Sequence, residues 1–110
     1  MKVIYIAGKF RGETWWDVRR NVLDAEQAAL AIWKLGAAVI CPHLNTANFD
    51  KVLPDEIFLA GNMEILRRCD AVFLLPTWKE SRGATAEYGE ACRLGLPCFE
   101  DVEQLRKWMG

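Results

Sequence analysis

Residues 70–97 read DAVFLLPTWKESRGATAEYGEACRLGLP and carry the clearest secondary-structure pattern of the chain. Its apolar run, 71–75, is short and uninterrupted, as in a parallel strand that is buried on both faces. A polar loop with Ser81 and Gly83 follows, and the pattern then predicts a helix over 84–94. The stretch is therefore a strand–loop–helix unit, the repeating element of α/β folds.

Glu87 lies in the first turns of that helix, close to the loop. Free backbone N–H groups at a helix amino terminus suit an anionic group, and a carboxylate one turn further in can face the same ligand. A structural alternative stays open, because Ser and Gly are common turn residues and an early Glu complements the helix dipole. Glu90, one turn beyond, is expected to face solvent.

The overall composition bounds the class of protein. The 110 residues are predicted to form one domain, 1–110, and 52% of them are hydrophobic, which is enough for a core. A formal net charge of −1 gives no electrostatic basis for binding nucleic acid or a membrane surface. No apolar run approaches the ~20 residues of a membrane span. The first residues, MKVIYIAG, predict a strand rather than a signal peptide, so we expect a cytoplasmic protein.

The cysteines and the single histidine form no metal-binding pattern. Cys41, Cys69, Cys92 and Cys98 include no C-x-x-C pair, whereas a zinc site needs several closely spaced ligands. We expect the cysteines to be reduced and mostly buried. No metal and no cofactor are predicted.

Apolar and amphipathic segments alternate along the whole chain. Strands are predicted at 3–7, 37–41, 71–75 and 97–100. Helices are predicted between Thr14 and Gly36, from Pro54 to about Cys69, and over 84–94 and 102–109, with a polar loop at 43–52. This order predicts an α/β fold: a small doubly wound, flavodoxin- or Rossmann-like, mainly parallel sheet of four to five strands with helices on both faces.

Ligands of such sheets bind at the carboxyl ends of the strands. Residues 8–11, 42–45 and 77–83 follow strands and are predicted to lie on that edge. Asp70 precedes its strand, so it belongs to the opposite edge and is excluded from the site. His43 is either a ligand contact or a structural histidine. Trp78 either stacks on a base or packs at a subunit contact.

The five tryptophans exceed what so short a chain is expected to bury in its own core. Trp15, Trp16 and Trp108 fall near predicted helix ends, where they can form an apolar surface patch. Because large exposed apolar patches mark partner surfaces, we expect a homodimer or a higher homo-oligomer.

Four motifs give the sequence a specific likeness. They are YIAGKFR at 5–11, CPH at 41–43, CDA at 69–71 and S-x-G-x-x-x-E at 81–87. On these motifs the chain resembles the nucleoside 2-deoxyribosyltransferase superfamily over nearly its whole length. It is most similar to the small 2′-deoxynucleoside 5′-monophosphate N-glycosidases and related phage and bacterial proteins. The resemblance implies cleavage or transfer of the N-glycosidic bond of a 2′-deoxynucleoside or its 5′-monophosphate, with no cofactor and with paired subunits.

The resemblance also implies roles for the matching residues. Glu87 is the nucleophile that attacks the anomeric carbon, and Tyr5 helps to position its carboxylate. Ser81 and Gly83 hold a 5′-phosphate with help from Arg11. A carboxylate nucleophile suits glycosyl transfer with retention, which passes through an oxocarbenium-like transition state. The full set of predicted substrate-binding residues is Gly8, Lys9, Arg11, His43, Trp78, Ser81 and Gly83.

Asn62 departs from the pattern of the family. An Asp usually stands at this position, eight residues before the Asp that precedes the third strand, and it assists protonation of the leaving base. An amide cannot act as the acid, and general-acid assistance is worth about 10²–10⁴-fold. Three hypotheses stay open: an enzyme that uses another acid, with Asp55 and Glu56 nearest in sequence; a non-catalytic nucleotide-binding protein; and an interaction module with a vestigial cleft. Asn62 is counted with the catalytic candidates, as a contact to the base.

Overall fold

Four parallel strands with helices on both faces form the protein, which a computed structural model describes over all of residues 1–110. The strands are β1 (Val3–Ala7), β2 (Ala38–Ile40), β3 (Ala71–Leu74) and β4 (Cys98–Phe99). The helices are α1 (Trp15–Trp33), α2 (Pro42–Asn45), α3 (Asp55–Arg67), α4 (Arg82–Leu94) and α5 (Val102–Met109), and a 3-10 turn covers Trp78–Glu80. The predicted fold class is confirmed.

The strand order is β2-β1-β3-β4, and each neighbouring pair is parallel. The chain therefore winds outward in both directions from the boundary between β1 and β3. Ala7 of β1 pairs with Leu74 of β3, so these two strands end at the same level. The loops that follow them lie side by side at this switch point, where open α/β sheets bind their ligands.

Two apolar clusters cover the two faces of the sheet. Ile4 and Ile6 of β1 pack with the buried sides of α1 and α5. Tyr5 and Ala7 point the other way, since side chains alternate along a strand, and pack with α3 and α4. Tyr5 is thus directed toward the helix that carries Glu87.

Local signals explain where the longest helix begins and ends. The hydroxyl of Thr14 accepts from the backbone N–H of Asp17 at 3.1 Å, and the Asp17 carboxylate accepts from the N–H of Thr14 at the same distance. These two bonds form a capping box at the start of α1. Gly36 follows the helix with a φ of 95°, a left-handed conformation that suits glycine.

Several predicted boundaries are wrong, as three examples show. The polar loop predicted at 43–52 begins inside the short helix α2, because the Cys41 carbonyl accepts from the N–H groups of both Leu44 and Asn45 and Pro42 fits the first helical position. The last strand, β4, has two residues instead of four. Helix α4 begins two residues earlier than predicted, because Ser81 caps it.

All four cysteines are free. Nowhere do three or more His, Cys, Asp or Glu side chains come together in a group that suits a metal ion. None of the helices combines the length and the apolar character needed to cross a membrane.

Candidate active site

A cavity of about 720 Å³ opens at the carboxyl ends of β1 and β3. The loop after β1, helix α2, helix α3 and the amino-terminal half of α4 contribute its walls. Of the predicted site residues, all but Tyr5 and Trp78 line this cavity: Gly8, Lys9, Arg11, His43, Asn62, Ser81, Gly83 and Glu87. Residues from four distant parts of the sequence therefore meet in one place.

Glu87 supplies the buried carboxyl group of the cavity. It is 9% exposed, and its Oε2 accepts a hydrogen bond from the hydroxyl of Tyr5, which is itself fully buried behind the cavity wall. Burial raises the pKa of Glu87 to about 8, since desolvation disfavours the charged form. The bond from Tyr5 favours the carboxylate and so acts against that rise. Glu87 is thus a carboxyl group that ionises near neutral pH while it faces an open cavity.

The amino terminus of α4 forms one rim of the cavity. The Ser81 hydroxyl oxygen accepts from the backbone N–H of Ala84 at 3.1 Å, which caps the helix and leaves the hydroxyl proton free to bond to a ligand. The N–H groups of Arg82 and Gly83 belong to the first turn, where no earlier carbonyl of the helix can accept from them. A Cβ added at Gly83 would lie 3.5 Å from the Leu59 side chain, an ordinary contact. Packing alone therefore does not require glycine at this position.

The two cations predicted to bind phosphate are already paired with carboxylates. One Arg11 nitrogen, Nη2, lies 3.3 Å from Asp50 and 2.5 Å from Asp55, so Arg11 joins the loop after β1 to the start of α3. The Lys9 ammonium lies 3.4 Å from a Glu80 oxygen. These pairs are at least partly exposed, so water weakens them and a phosphate group can compete for the cations.

Asn62 lies on α3 in the cavity lining, and its side chain makes no hydrogen bond within the chain. Its amide is therefore free to donate to a ligand and to accept from one. Of the two nearby carboxylates, Asp55 is held by Arg11. Glu56 also lines the cavity and has no ion-pair partner, which makes it the spare carboxylate of this wall.

His43 is buried at the start of α2, with its ring against the loop after β1. Its Nε2 lies 3.0 Å from the Lys9 carbonyl oxygen, a contact in which Nε2–H donates. Nδ1 is buried without any partner. Burial lowers the pKa of His43, so Nδ1 carries a lone pair rather than a proton near neutral pH. His43 thus holds the first loop in place and leaves one acceptor unused.

Gly8 and Trp78 both make packing contacts that the sequence did not predict, and of the two only Gly8 also lines the cavity. A Cβ on Gly8 would lie 2.5 Å from the Leu75 side chain, so close packing between the ends of β1 and β3 requires glycine. Trp78 lies outside the cavity lining. Its ring packs on Tyr88 at a centroid distance of 4.7 Å, and its indole N–H donates to Glu100. The ring thus packs within the chain, outside the cavity lining, and the base contact of Trp78 stays a prediction.

The sequence-based prediction missed part of the lining. Arg82 is the cavity cation that has no carboxylate partner, and its position between Ser81 and Gly83 was a usable signal. An apolar wall was also missed, and it consists of Phe10, Phe58, Leu59 and Met63. On α3, Phe58 and Leu59 lie four and three residues before Asn62, and Met63 lies four residues after Leu59. Helical periodicity counted from Asn62 would therefore have found this side of α3.

Residues 2–100 match the family described as a domain of unknown function, DUF4406. The chain belongs to this family. No curated protein matches the sequence. Among solved structures, the fold is similar to that of a 2-deoxyribosyltransferase from the psychrotolerant bacterium Bacillus psychrosaccharolyticus, with a TM-score of 0.70 and 18% identity. The match covers 94% of this chain and 90% of that one, which confirms the predicted resemblance at the level of the fold.

Proposed function

We propose that this DUF4406 protein cleaves or transfers the N-glycosidic bond of a 2′-deoxynucleoside or its 5′-monophosphate, with Glu87 as the nucleophile. The observation that carries the proposal is the buried Glu87 carboxyl, hydrogen-bonded to Tyr5 and open to a cavity of about 720 Å³. Cavities of roughly 300–1,000 Å³ hold small molecules of nucleotide size. The likeness of the fold to a 2-deoxyribosyltransferase supports the same reaction class.

The reaction proceeds by double displacement. A Glu87 carboxylate oxygen forms a bond to the anomeric carbon while the bond to the base nitrogen breaks, and the bonding pair leaves with the base. Water, or a second base, then attacks the same carbon and releases Glu87 as a carboxylate. Tyr5 orients the attacking group through its hydrogen bond to Oε2. Because the nucleophile must be ionised, the raised pKa of Glu87 sets the lower pH limit of the reaction.

The departing base needs a proton, and the cavity offers one spare carboxyl for this task. Asn62 cannot donate a proton as an acid, although its amide can hold the base by hydrogen bonds. Glu56 lies on the same helix, lines the same cavity and has no ion-pair partner. We assign the general-acid role to Glu56 within this proposal, with Asn62 as the contact to the base.

The end of the substrate that carries the 5′ group would face the amino terminus of α4. Ser81, the first-turn N–H groups and Arg82 form an anion-binding rim there. Arg11 joins this rim only when a phosphate competes successfully with Asp50 and Asp55. The difference in affinity between each nucleoside and its monophosphate therefore measures how much the phosphate adds to binding while Asp50 and Asp55 compete for Arg11.

A second candidate function is binding of a nucleoside or nucleotide without turnover. The observation that favours it is Asn62, an unpaired amide at the position where the resemblance implies a proton-donating Asp. In this case the cavity and its anion-binding rim serve recognition alone. The two candidates differ in one measurable product, the free base.

The deciding experiment incubates the protein with deoxynucleosides and their 5′-monophosphates and separates the products by chromatography. Release of free base by the wild type, and its loss in Glu87→Gln, is the result expected of the proposed enzyme. Thermal shifts with the same compounds, recorded in parallel, detect binding. Binding without free base in the wild type would establish the second candidate. An absence of both would reject both and leave the interaction-module hypothesis.

A further inference from the structure

The outer face of α1 carries an apolar stripe that nothing in the chain covers. Trp16, Leu23 and Leu30 are spaced by seven residues and are 65%, 50% and 55% exposed. They lie opposite the side of the helix that packs on the sheet through Ala25 and Ala29. A spacing of seven keeps apolar side chains on one line of a helix, as in helices that pair with another helix.

Charged side chains border this stripe and lack partners of their own. Arg19 and Glu26 lie along one flank of it, and Arg20 lies along the other, at the positions expected from 3.6 residues per turn. None of these three side chains belongs to an ion pair within the chain, although seven such pairs occur elsewhere. Arg19 and Glu26 on the same flank have opposite charges, separated by two turns.

The pattern is symmetric about Leu23. When a second α1 runs antiparallel with the two Leu23 side chains together, Trp16 of each copy meets Leu30 of the other. Arg19 of each copy then faces Glu26 of the other, because side chains on the same flank meet in an antiparallel pair. We propose that the outer face of α1 is a twofold interface with a second copy of this chain.

The exposed area is adequate for such a pair. Trp15 and Trp33, which are 83% and 52% exposed, extend the apolar surface at the two ends of the helix. With about 150–250 Å² for each buried aromatic side chain, the five apolar residues offer roughly 600–700 Å² per copy. With the flanking charges this approaches the ~800 Å² per partner of a standard interface.

The proposed interface is connected to the candidate site through Asn21. The Asn21 side chain of α1 donates to the carbonyl oxygens of Phe10 and Arg11, each at 3.1 Å. A partner packed on α1 would therefore steady the loop that carries Arg11 without entering the cavity. A second exposed apolar patch, formed by Val52, Leu53 and Ile57 near the cavity, lacks the symmetric pattern of charges and provides a control surface.

Sedimentation velocity over a concentration series tests the proposal with two matched variants. Leu23→Glu introduces a like-charge pair on the symmetry axis and is expected to weaken self-association about 100-fold or more. Ile57→Glu, with an equally exposed apolar side chain on α3, is expected to leave association unchanged. Since both positions are about half exposed, both variants should keep the wild-type circular dichroism. A wild type that stays monomeric at about 100 μM would overturn the proposal. A dimer that is broken only by Ile57→Glu would overturn it too.

A charge swap tests the antiparallel register. Arg19→Glu is expected to weaken association about fivefold to tenfold, since it places two carboxylates together in each of the two symmetry-related pairs of residues 19 and 26. Adding Glu26→Arg to it should restore the wild-type dissociation constant, because every pair then has opposite charges again. A double variant no stronger than the single one would reject this register, even if Leu23→Glu abolishes the dimer.

Discussion

Two glutamates one turn apart on α4 have pKa values that are shifted in opposite directions. Glu87 is 9% exposed and receives a single hydrogen bond, from Tyr5, and burial raises its pKa to about 8. The side chain of Glu90 is 12% exposed and lies between Arg93 of its own helix and Arg67 of α3. Hydrogen bonds from Arg93 and Arg67 lower the pKa of Glu90 to about 2.

Both burial and partners differ between the two glutamates. Glu87 is the more deeply buried and has no cation beside it, so desolvation raises its pKa, whereas the two arginines beside the less buried Glu90 favour its charged form. Glu90 is a fixed anion that joins two helices, whereas Glu87 faces a cavity with no cation against it. A carboxyl group that is kept near its ionisation point in a cavity is typical of a functional site, and a paired anion is typical of a structural one.

Neutralising each glutamate in turn is expected to give the largest difference between them. Glu87→Gln removes the proposed nucleophile, and we expect base release to fall about 10⁴-fold or more. Glu90→Gln removes an anion that does not line the cavity, so its rate should stay within about threefold of the wild type. Steady-state rates of free-base formation measure both. Equal losses in the two variants would remove the distinction between them.

The pH dependence of the reaction tests the ionisation of Glu87. Because attack needs the carboxylate, ionisation of Glu87 should raise kcat/KM about tenfold per pH unit up to a pH near 8, whereas loss of the proton from the general acid assigned to Glu56 should lower it, so the profile should be bell-shaped. Tyr5→Phe removes the hydrogen bond that favours the ionised form, so its profile should move to higher pH. A rising limb that does not move in Tyr5→Phe would mean that Glu87 is not the group that ionises on it.

The sequence predicted the fold because its signals are local. Apolar runs at 3–7 and 71–75, the Thr14 capping box and the helix ending at Gly95 are each readable within a few residues. Alternation of strands and helices then left few ways to arrange the sheet. The same signals placed Glu87 and Ser81 at the correct edge, since the carboxyl ends of parallel strands share one side.

The parts that the sequence did not predict depend on partners far along the chain. Glu90 was expected to face solvent, which is wrong, because Arg67 lies on a different helix and its contact with Glu90 follows only from packing of α3 on α4. Arg11 likewise meets Asp50 and Asp55 across a gap of about forty residues. Trp78 follows a strand at the correct edge, but its ring turns to Tyr88, away from the cavity.

The raised pKa of Glu87 also affects thermal stability, and we expect this effect to be smaller than the effect on the rate. The folded protein holds the Glu87 proton up to about pH 8, whereas an unfolded chain releases it near 4.5. Stability therefore falls as pH rises through that interval, by an amount on the order of 5 kcal/mol at most. Glu87→Gln abolishes this loss, so its Tm should exceed that of the wild type at pH 9 by about 10 °C and match it near pH 4. Scanning calorimetry at the two pH values is the test. A variant less stable than the wild type at pH 9 would contradict a buried, weakly satisfied carboxylate.

The smallest expected effect is the contribution of Glu90 to stability, which grows as pH rises, whereas that of Glu87 falls. A lowered pKa means that the folded state favours the anion, so the contribution of Glu90 is complete above about pH 4.5 and is lost as pH falls toward 2. Glu90→Gln should therefore lower the Tm by a few degrees at pH 7 and by less at pH 3, since its arginine partners are exposed to water. Arg67→Met provides the control, because it cuts the link to α3 and leaves Arg93 on Glu90. If the arginine links decide the state of Glu90, the two variants should lower the Tm in the same direction at pH 7, with the smaller change in Arg67→Met. A Glu90→Gln variant more stable than the wild type at neutral pH would mean that the arginine partners do not offset the cost of shielding the Glu90 carboxylate from water.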